Sequence, residues 1–589
     1  MKDFFKYMFA TIVGIIITSI LLLLLFFGII GAMVAKTDQT VVVKSNSLLI
    51  INLNQEIIDR GSKNPIGSFD FMNFKPVPQL GLNDILKAID NAAQDENIRG
   101  IFIETESIPA GAATLEEIRM ALVKFKESGK FIISYSDVYG QKSYYLSSVS
   151  DKILLNPEGA IEWVGMRGEI MFFKDALQKL GVEVQIIRHG KFKSAIEPFI
   201  LDKMSPENRE QTLTYMGSIW NHWVNGISKA RNISVDELNK LADNLTISNA
   251  KSAVKFGLAD SLVYKDQVID MLKELTDTKP EKDINSVSLA QYTKVKPTSK
   301  HKGFIKDKIA VVYASGSIIT GDGEEGSIAS ERFGRAIRKA RRDSTVKAIV
   351  LRINSGGGSA LASEVIWREV KLAKGVKPVI VSMGDVAASG GYFIAAPADY
   401  ILASPTTITG SIGVFGMIPN FKEGMNKKLG ITVDVVKTNR NADFGSVFRP
   451  LTAEERAVYQ LGVEDIYSTF IGHVAEGRNL TVEQVDEIGQ GRVWSGVNAM
   501  DIKLIDEFGG LQRAIEIAAE RAGLENYRIS ELPEQEDPFE AIIKQLTGGA
   551  KANILKNELG ENYKYIERVK SIVTNRGIMA RIPYDIELY

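Results

Sequence analysis

The order of apolar and polar residues divides the chain into a long apolar stretch at the amino terminus and a much longer mixed region. No charged residue occurs from Met8 to Ala35, and a helix needs about 20 apolar residues to cross a bilayer. A cleaved secretory signal has a shorter apolar core that ends in a small-x-small site, and Met33-Val34-Ala35 is a poor site of this kind. The pattern therefore predicts an uncleaved membrane helix within residues 1–40.

The residues around this helix predict its orientation. A stub that carries Lys2, Lys6 and the free amine precedes the apolar stretch and is too short to be a domain. Although Lys36 and Lys44 follow on the other side, positive charge before a first membrane helix favours the cytoplasm for the stub. We therefore expect everything from about Val41 onward to lie outside the cytoplasm.

The mixed region contains a duplication. The segment at about residues 48–275 recurs at about residues 309–521, and matching positions stay within one residue of an offset of 248. Asp137 of the first copy matches Asp385 of the second at this offset. Such constancy over a long distance indicates two copies of one fold.

Each copy alternates short β-branched runs with stretches of helical spacing. Residues 349–353, 378–382 and 400–403 are typical of buried strands, whereas residues 335–342 and 363–374 have helical periodicity. The alternation predicts an α/β fold in which helices flank a sheet. The predicted divisions are a stub and membrane helix at 1–40, the first copy at 41–276, a connector at 277–303, the second copy at 304–530 and a helical tail at 531–589.

Composition and charge exclude several kinds of chemistry. The 589 residues include 71 Lys and Arg, 72 Asp and Glu, and no Cys. This balance lacks the basic excess of a nucleic-acid binder, and without Cys there are no disulfides, thiolate nucleophiles or Cys-containing zinc sites. The His residues form no pair at i,i+3 or i,i+4 spacing, which argues against a His-rich metal site; they are His189, His222, His301 and His473.

The two copies differ at positions that carry chemistry, and the clearest of these is Ser389. It lies between a predicted strand and a predicted helix, and its small neighbours Ala388 and Gly390 leave the hydroxyl accessible. A helix N-terminus at this place stabilises negative charge. Gln141 stands at the matching position of the first copy. Ser389 is therefore a candidate nucleophile, and a plain N-cap role is the alternative.

A glycine run and a second serine also distinguish the second copy. Gly356, Gly357 and Gly358 follow a predicted strand, and successive glycines allow backbone N–H groups to approach an oxyanion. A tight turn is the alternative for this run. Ser411 stands where the first copy has Trp163, and it is either a hydroxyl beside the nucleophile or a turn serine.

A catalytic serine needs a base, and no His is well placed, because His301 lies in the connector and His473 in a helical stretch well past the serine. A lysine can act as the base when burial lowers its pKa from about 10.4. Lys193 is the candidate because apolar and small residues, Phe192 among them, surround it in the sequence, and its match in the second copy is Ala442. A solvated surface lysine is the alternative. The base candidate thus belongs to the first copy and the nucleophile to the second.

Together these features closely resemble the long form of the signal peptide peptidase A family, also called protease IV. The resemblance covers nearly the whole chain and implies two tandem domains of the crotonase-like fold, shared with the Clp protease subunit, behind an amino-terminal transmembrane helix. Its motifs are Gly190-Lys-Phe-Lys-Ser-Ala-Ile-Glu-Pro-Phe, Asn354-Ser-Gly-Gly-Gly-Ser, Ala388-Ser-Gly-Gly-Tyr, Thr409-Gly-Ser-Ile-Gly and Ala580-Arg-Ile-Pro-Tyr.

The resemblance also implies a mechanism and a setting. Ser389 is expected to be the nucleophile, Lys193 the general base, and Ser411 a hydrogen-bonding partner of the lysine. The implied activity is that of a serine endopeptidase that degrades cleaved signal peptides without a cofactor or metal. The resemblance further implies a homotetramer in a bacterial-type inner membrane. Each chain would be anchored in the lipid by its amino-terminal helix, with the catalytic domains on the periplasmic side. The expected oxyanion N–H groups are those of Gly390 and of Gly357 or Gly358.

Two departures from the family pattern occur near these residues. Gly356 stands where the family usually has Pro, so this turn loses a fixed φ, and Phe192 replaces a common Tyr. Neither changes the Ser/Lys pair. Two rival functions stand beside the peptidase: a crotonase-type acyl-coenzyme A reaction, which uses a similar glycine oxyanion hole, and an inactive membrane assembly scaffold.

Overall fold

The computed structural model describes residues 2–37, 41–61, 69–70, 75–76, 79–295, 305–535 and 577–582. Its first helix, α1 (Lys2–Thr37), contains the uncharged amino-terminal stretch. The side chains between Phe4 and Leu21 are exposed, and residues Asp3–Leu21 are long and apolar enough to cross a membrane. An apolar helix therefore forms where the hydropathy pattern predicts one.

The first half continues with an alternation of strands and helices. Its elements are β1 (Ser47–Ile51), β2 (Ile57–Ile58), β3 (Phe69–Asp70), β4 (Lys75–Pro76), β5 (Leu80–Gly81), α2 (Leu82–Gln94), β6 (Ile98–Ile103), α3 (Ala112–Lys126), β7 (Phe131–Tyr139), α4 (Gln141–Ser147), β8 (Lys152–Ile161), α5 (Lys174–Lys179), β9 (Glu183–Arg188), α6 (Glu197–Ile200), α7 (Pro206–Arg231), α8 (Val235–Asp243), α9 (Ala250–Lys255), β10 (Ser261–Leu262), α10 (Lys265–Leu275), β11 (Ser286–Ser288) and α11 (Leu289–Tyr292).

One parallel sheet organises this half, in the strand order β10-β8-β7-β6-β1-β11. Successive residues of a strand face opposite sides of a sheet. Ile101 of β6 accordingly packs in the core beneath α2 and α3, whereas Phe102 packs with Val268 and Leu272 of α10 on the other side. Both faces are covered, which explains why the strands are continuous apolar runs.

The second half repeats this plan. Its elements are β12 (Lys308–Ser315), β13 (Ser317–Ile319), β14 (Ser327–Ala329), α12 (Ser330–Arg342), β15 (Val346–Ser355), β16 (Gly357–Ser359), α13 (Ala360–Lys374), β17 (Val379–Ala388), α14 (Gly390–Ala395), β18 (Tyr400–Ala403), β19 (Ile408–Gly410), β20 (Phe415–Asn420), α15 (Ala453–Arg478), α16 (Val482–Ile488), β21 (Val493–Ser495), α17 (Gly496–Asp501), β22 (Glu507–Phe508), α18 (Leu511–Ala522), β23 (Arg528–Leu532) and β24 (Gly577–Arg581).

The second sheet has the strand order β21-β19-β17-β15-β12-β23, with β18 pairing β17 and β22. Helix α13 has the bounds of α3 moved by 248 residues, so the duplication seen in the sequence is also a duplication in space. The predicted α/β fold, with two copies behind an apolar helix, is confirmed.

A third sheet joins the two halves, in the order β14-β13-β16-β24-β20-β9. Strand β9 of the first half pairs antiparallel with β20 of the second, with Arg188 opposite Phe415. Because Lys193 follows β9 closely in the chain, this pairing carries the lysine of the first half to the second half.

Two predicted boundaries in the second half differ from the structure. Strand β17 continues to Ala388 instead of ending near Ser382, because β19 pairs with its last residues and extends it. The glycine run is not a free loop, since Gly357 and Gly358 lie in β16 between two neighbouring strands.

The connector differs in part from the prediction, whereas the helices predicted for the tail stay a prediction. Part of the connector forms β11, which satisfies the free edge of β1, while residues 296–304 lie outside the described residues. Among the described tail residues, 531 and 532 end β23, which pairs with β12, and Gly577–Arg581 form β24, which pairs with β16 and β20. Residues 536–576 and 583–589 of the tail lie outside the described residues.

Candidate active site

Ser389 occupies a strained turn between β17 and α14. Its backbone has φ 54° and ψ −115°, a region that residues other than glycine rarely occupy and that is stabilised only by the surrounding fold. The N–H of Ser389 donates to the carbonyl of Gly410 at 2.8 Å, which helps to fix the turn. Although the residue stands at the N-cap position, its side chain makes no capping hydrogen bond, so the N-cap alternative is wrong.

The side chain of Lys193 reaches this serine from the other half of the molecule. Its Nζ lies 2.7 Å from Ser389 Oγ, 3.0 Å from Ser411 Oγ and 3.1 Å from the carbonyl oxygen of Ser411. All three residues are fully buried. The sequence predicted this grouping of one lysine and two serines, and the structure brings them together.

Burial lowers the pKa of Lys193 well below its ordinary value. The acceptors around Nζ are two hydroxyls and a carbonyl, all of them uncharged. Within the described ranges no carboxylate shares a hydrogen bond with this amine. The surroundings therefore favour the neutral amine, and the surface-lysine alternative is wrong.

The hydroxyl of Ser411 has a fixed direction. It donates to the carbonyl oxygen of Gly491 at 3.2 Å, so its lone pairs are free to accept a hydrogen bond from Lys193. Gly491 also packs directly on the lysine, because a Cβ there would lie 2.7 Å from the Lys193 Cα. Ser411 itself has a positive φ of 47°, which is a further local strain at the site.

The three candidate oxyanion glycines lie close together but differ in their contacts. Gly390 is the first residue of α14, so its N–H has no acceptor within the helix. A Cβ on Gly357, whose φ is 94°, would lie 2.6 Å from the Gly390 nitrogen, and the Gly357 N–H donates to Ser355 Oγ at 3.1 Å. Gly358 is opposite Ala580 of β24. The Gly357 and Gly390 backbones therefore meet beside Ser389.

Comparisons with known proteins find relatives along most of the chain. A family model described as peptidase family S49 matches residues 124–279 and 371–525, one match in each half. The chain belongs to peptidase family S49. It is 36% identical over 533 residues to "Protease 4" of Salmonella typhi, covering 88% of this chain and 84% of that one. It is 32% identical over 511 residues to "Serine protease SPPA, chloroplastic" of Arabidopsis thaliana, covering 86% of this chain and 74% of that one.

Membership of S49 makes the chain a serine peptidase that acts on peptides. Among solved structures, ClpP1 from Listeria monocytogenes matches 34% of this chain and 91% of its own with 19% identity and a TM-score of 0.22, an overlap too slight to carry an argument. The fold assignment rests on the sheets described above and on the two S49 matches.

Sequence reasoning missed Gln211, which supports the lysine in this S49 site. Its side-chain amide donates to the carbonyl of Phe192 at 3.1 Å and to Ser194 Oγ at 2.9 Å, on either side of Lys193. Its carbonyl oxygen accepts from the Val493 N–H at 3.0 Å. One glutamine thus ties the lysine-bearing segment to the second half, and nothing in the helical spacing of α7 distinguishes it from other polar residues.

A buried ion cluster at the contact between the halves was also missed. Arg352 Nε lies 2.7 Å from Asp59 Oδ1, and Nη2 lies 2.7 Å from Glu117 Oε1. Asp385 accepts hydrogen bonds from the N–H and the hydroxyl of Thr114 at 2.8 and 2.6 Å. The available signal for this cluster was Arg352 itself, a charged residue inside an apolar strand.

The matching positions of the first half form no second site. Gln141 Oε1 accepts from the N–H groups of Val164 and Gly165 at 3.0 and 2.9 Å, so this side chain is committed to its own loop. Trp163 is buried, and Ala442, the match of Lys193, is exposed. The described residues of this S49 peptidase therefore hold one complete Ser/Lys pair.

Proposed function

We propose that the chain is a membrane-anchored serine endopeptidase in which Ser389 is the nucleophile and Lys193 the general base. The observation that carries the proposal is the 2.7 Å separation of Lys193 Nζ from Ser389 Oγ inside a fully buried pocket. A lysine acts as a base only when it is neutral, and desolvation is the effect that makes it so.

The geometry supports a defined path for the proton. A neutral amine has two N–H donors and one lone pair. If the donors bind the Oγ and the carbonyl of Ser411, at 3.0 and 3.1 Å, the lone pair faces the hydroxyl of Ser389. Lys193 then takes the hydroxyl proton as the serine oxygen attacks a peptide carbonyl, and Ser411 acts as a positioning residue.

The oxyanion of the tetrahedral intermediate would be stabilised by backbone N–H groups. Gly390 supplies one donor without cost, because its N–H has no helical acceptor. Gly357 supplies the second by exchanging Ser355 Oγ, at 3.1 Å, for the charged oxygen, which is the stronger acceptor. Gly358 is the weaker candidate because β24 lies opposite it.

The intermediate then collapses with cleavage of the C–N bond. The protonated Lys193 gives its proton to the leaving amine, and the acyl group remains on Ser389 as an ester. Water attacks this ester while the lysine, again neutral, takes the proton of the water. The second intermediate releases the carboxyl product and restores the serine hydroxyl.

The substrates we propose are apolar peptides at a membrane, chiefly signal peptides left after preprotein cleavage. The exposed apolar helix α1 supports membrane anchoring, and the lysines of the stub support a periplasmic position of the domains in a bacterial-type inner membrane. The S49 match supports peptide substrates.

We also propose that the chains assemble head to tail as a homotetramer, and the contact between the halves supports this. The first half contributes β9 and α3, and the second half contributes β20 and Val386, which packs against the core of the first half. The same faces on the opposite halves are open. Residues 432–437, which match β9, are exposed; Leu361 is exposed where its match Ala113 is buried.

A head-to-tail contact between chains would cover these open faces, and a closed ring covers all of them. In detergent, Val435→Glu should break the assembly into single chains. Val376→Glu is the matched control, because Val376 is at least as accessible but lies on neither face. Light scattering that gives the same mass for all three proteins would contradict this assembly.

The catalytic proposal is tested by Lys193→Met, which removes the amine and keeps most of the side-chain length. We expect loss of peptide cleavage and of fluorophosphonate labelling at Ser389. Lys191→Met is the matched control, because Lys191 is exposed two residues away, and it should retain both. Cleavage by Lys193→Met at the wild-type rate would refute the pair, and a Ser389→Ala chain that still makes every peptide product would favour a scaffold.

A further inference from the structure

Strand β24, near the carboxyl terminus, lies between β16 and β20 and is antiparallel to both. Ala580 is opposite Gly358 and Arg581 is opposite Gly357 on one side, while Met579 is opposite Phe415 on the other. The N–H of Ile582 donates to the carbonyl of Gly356 at 2.7 Å. Two strands of the second half thus hold a short segment of the same chain by backbone pairing.

These two strands border the nucleophile. Strand β16 contains Gly357, and β20 begins just after Gly413, whose carbonyl oxygen lies 3.4 Å from Ser389 Oγ. A peptide that reaches Ser389 in an extended form would add to these strands by β-augmentation, with backbone hydrogen bonds for affinity and pockets for alternate side chains. Strand β24 already occupies this groove.

The carbonyl of Ala580 lies against the candidate oxyanion glycines. Its oxygen is 2.1 Å from the position that a Cβ on Gly357 would take and 3.0 Å from that on Gly390. A side chain on either glycine would therefore collide with this carbonyl. A peptide carbonyl of a bound substrate needs the same space beside these two residues.

The side chains of the strand fill the pockets of the groove. Met579 packs on an apolar cluster that contains Ala195 and Ile196 of the first half and Phe415 and Met417 of the second. Ala580 is completely buried. The strand thus places a large apolar residue on a cluster that both halves build, and it buries the small residue that follows.

We propose that Gly577–Arg581 is an intramolecular substrate mimic that occupies the peptide groove and has to leave before a peptide can bind. This inference rests on the proposed peptidase function and adds its regulation. It also defines the preferred substrate, a peptide with an apolar residue in the Met579 pocket and a small residue in the Ala580 pocket. A competitor of this kind raises the apparent KM and leaves kcat unchanged.

The first test removes the competitor by Met579→Asp, which places a carboxylate in the apolar pocket and expels the strand. With the full chain in detergent and a short apolar peptide, we expect KM to fall at least threefold and kcat to stay the same. Ala290→Glu, at an exposed alanine of α11, is the control and should match the wild type. A deletion of residues 577–589 should behave as Met579→Asp does, and folded variants with unchanged or higher KM would overturn the inference.

The second test separates the inference from the catalytic proposal. A fluorescent peptide, Gly-Ile-Met-Ala-Arg-Ile, is titrated into the deletion variant that also carries Ser389→Ala, and anisotropy reports binding without turnover. Saturable binding to this variant, with at least tenfold weaker binding when the strand is present, supports groove occupancy even if no peptide is cleaved. Equal binding to both chains would overturn the inference, whatever the peptidase assays show.

Discussion

The ion cluster between the halves predicts how strongly the site depends on their contact. Arg352 is fully buried and belongs to β15 of the second half, whereas its partners Asp59 and Glu117 belong to the first half. The change Arg352→Met removes the cation, keeps most of the side-chain length, and leaves two carboxylates in a buried place. Since Lys193 and Ser389 come from different halves, the same contact also holds the proposed catalytic pair.

The expected loss of stability follows from the burial of the ion pairs that Arg352 makes. Removing one partner of a buried ion pair costs about 3–5 kcal/mol, because the remaining charge stays buried and unpaired. At about 2–4 °C per kcal/mol for domains of this size, the Tm should fall by roughly 6–20 °C. Each carboxylate keeps one other hydrogen bond, from Ser315 Oγ to Asp59 at 3.0 Å and from the Leu511 N–H to Glu117 at 2.9 Å, which favours the lower end.

The loss of stability should also depend on pH in a definite direction. Burial raises the pKa of Glu117 above its ordinary value, and Arg352 opposes this effect. A carboxyl with a raised folded-state pKa contributes stability below its unfolded-state pKa and loses this contribution as the pH rises through its folded-state pKa. Without Arg352 the pKa of Glu117 should rise further, because the opposing charge is gone. The loss of stability caused by Arg352→Met should therefore be largest at neutral pH and should shrink as the pH approaches about 4.

The assay is thermal unfolding of the full chain in detergent, followed by peptide cleavage on the same samples. The neutralised variant Arg352→Met with Asp59→Asn and Glu117→Gln has no unpaired charge, so it should recover most of the Tm and of the activity. The reasoning would be refuted if Arg352→Met had the Tm of the wild type. It would also be refuted if the neutralised variant had no higher Tm than Arg352→Met alone.

Three further predictions concern the proposed catalytic pair. Because burial lowers the pKa of Lys193 well below its ordinary value, kcat/KM should rise with pH through an apparent pKa well below about 10.4, and a rise only near that value would contradict a neutral base. Gly491→Ala places a Cβ 2.7 Å from the Lys193 Cα at a φ of 85°, so it should reduce cleavage at least tenfold. Gly472→Ala is the control and should match the wild type, because a Cβ there meets nothing within 4 Å. Gln141→Ser in a Ser389→Ala chain should give no fluorophosphonate labelling, and labelling at the new serine would show that the first half can build its own site.

The sequence could predict Lys193, Ser389 and Ser411 because the duplication provides an internal comparison. Each differs from its match in the other copy in a way that changes chemistry, and their apolar or small neighbours indicate burial. The strands and helices were predictable because the spacing of apolar residues along the chain follows the faces that each element buries in the core.

Contacts between distant segments could not be predicted in this way. Gln211 and Gly491 support Lys193 from α7 and from the turn before β21, and neither residue has a local pattern that predicts this. Strand β24 depends on pairing with β16 and β20, so the local sequence of the tail does not determine it. The limit is physical, because such roles are properties of the packed interface.

The division of the pair between the halves explains why the described residues hold one Ser/Lys pair instead of two. Burial favours the neutral form of a lysine, and here both halves are needed to bury it: Ser411 and Gly491 of the second half enclose the amine and backbone of Lys193. The proposed catalytic base is therefore created by the contact between the halves and not by either fold alone. In the first half Gln141, at the position that matches Ser389, serves its own loop, where its Oε1 accepts hydrogen bonds from the N–H groups of Val164 and Gly165.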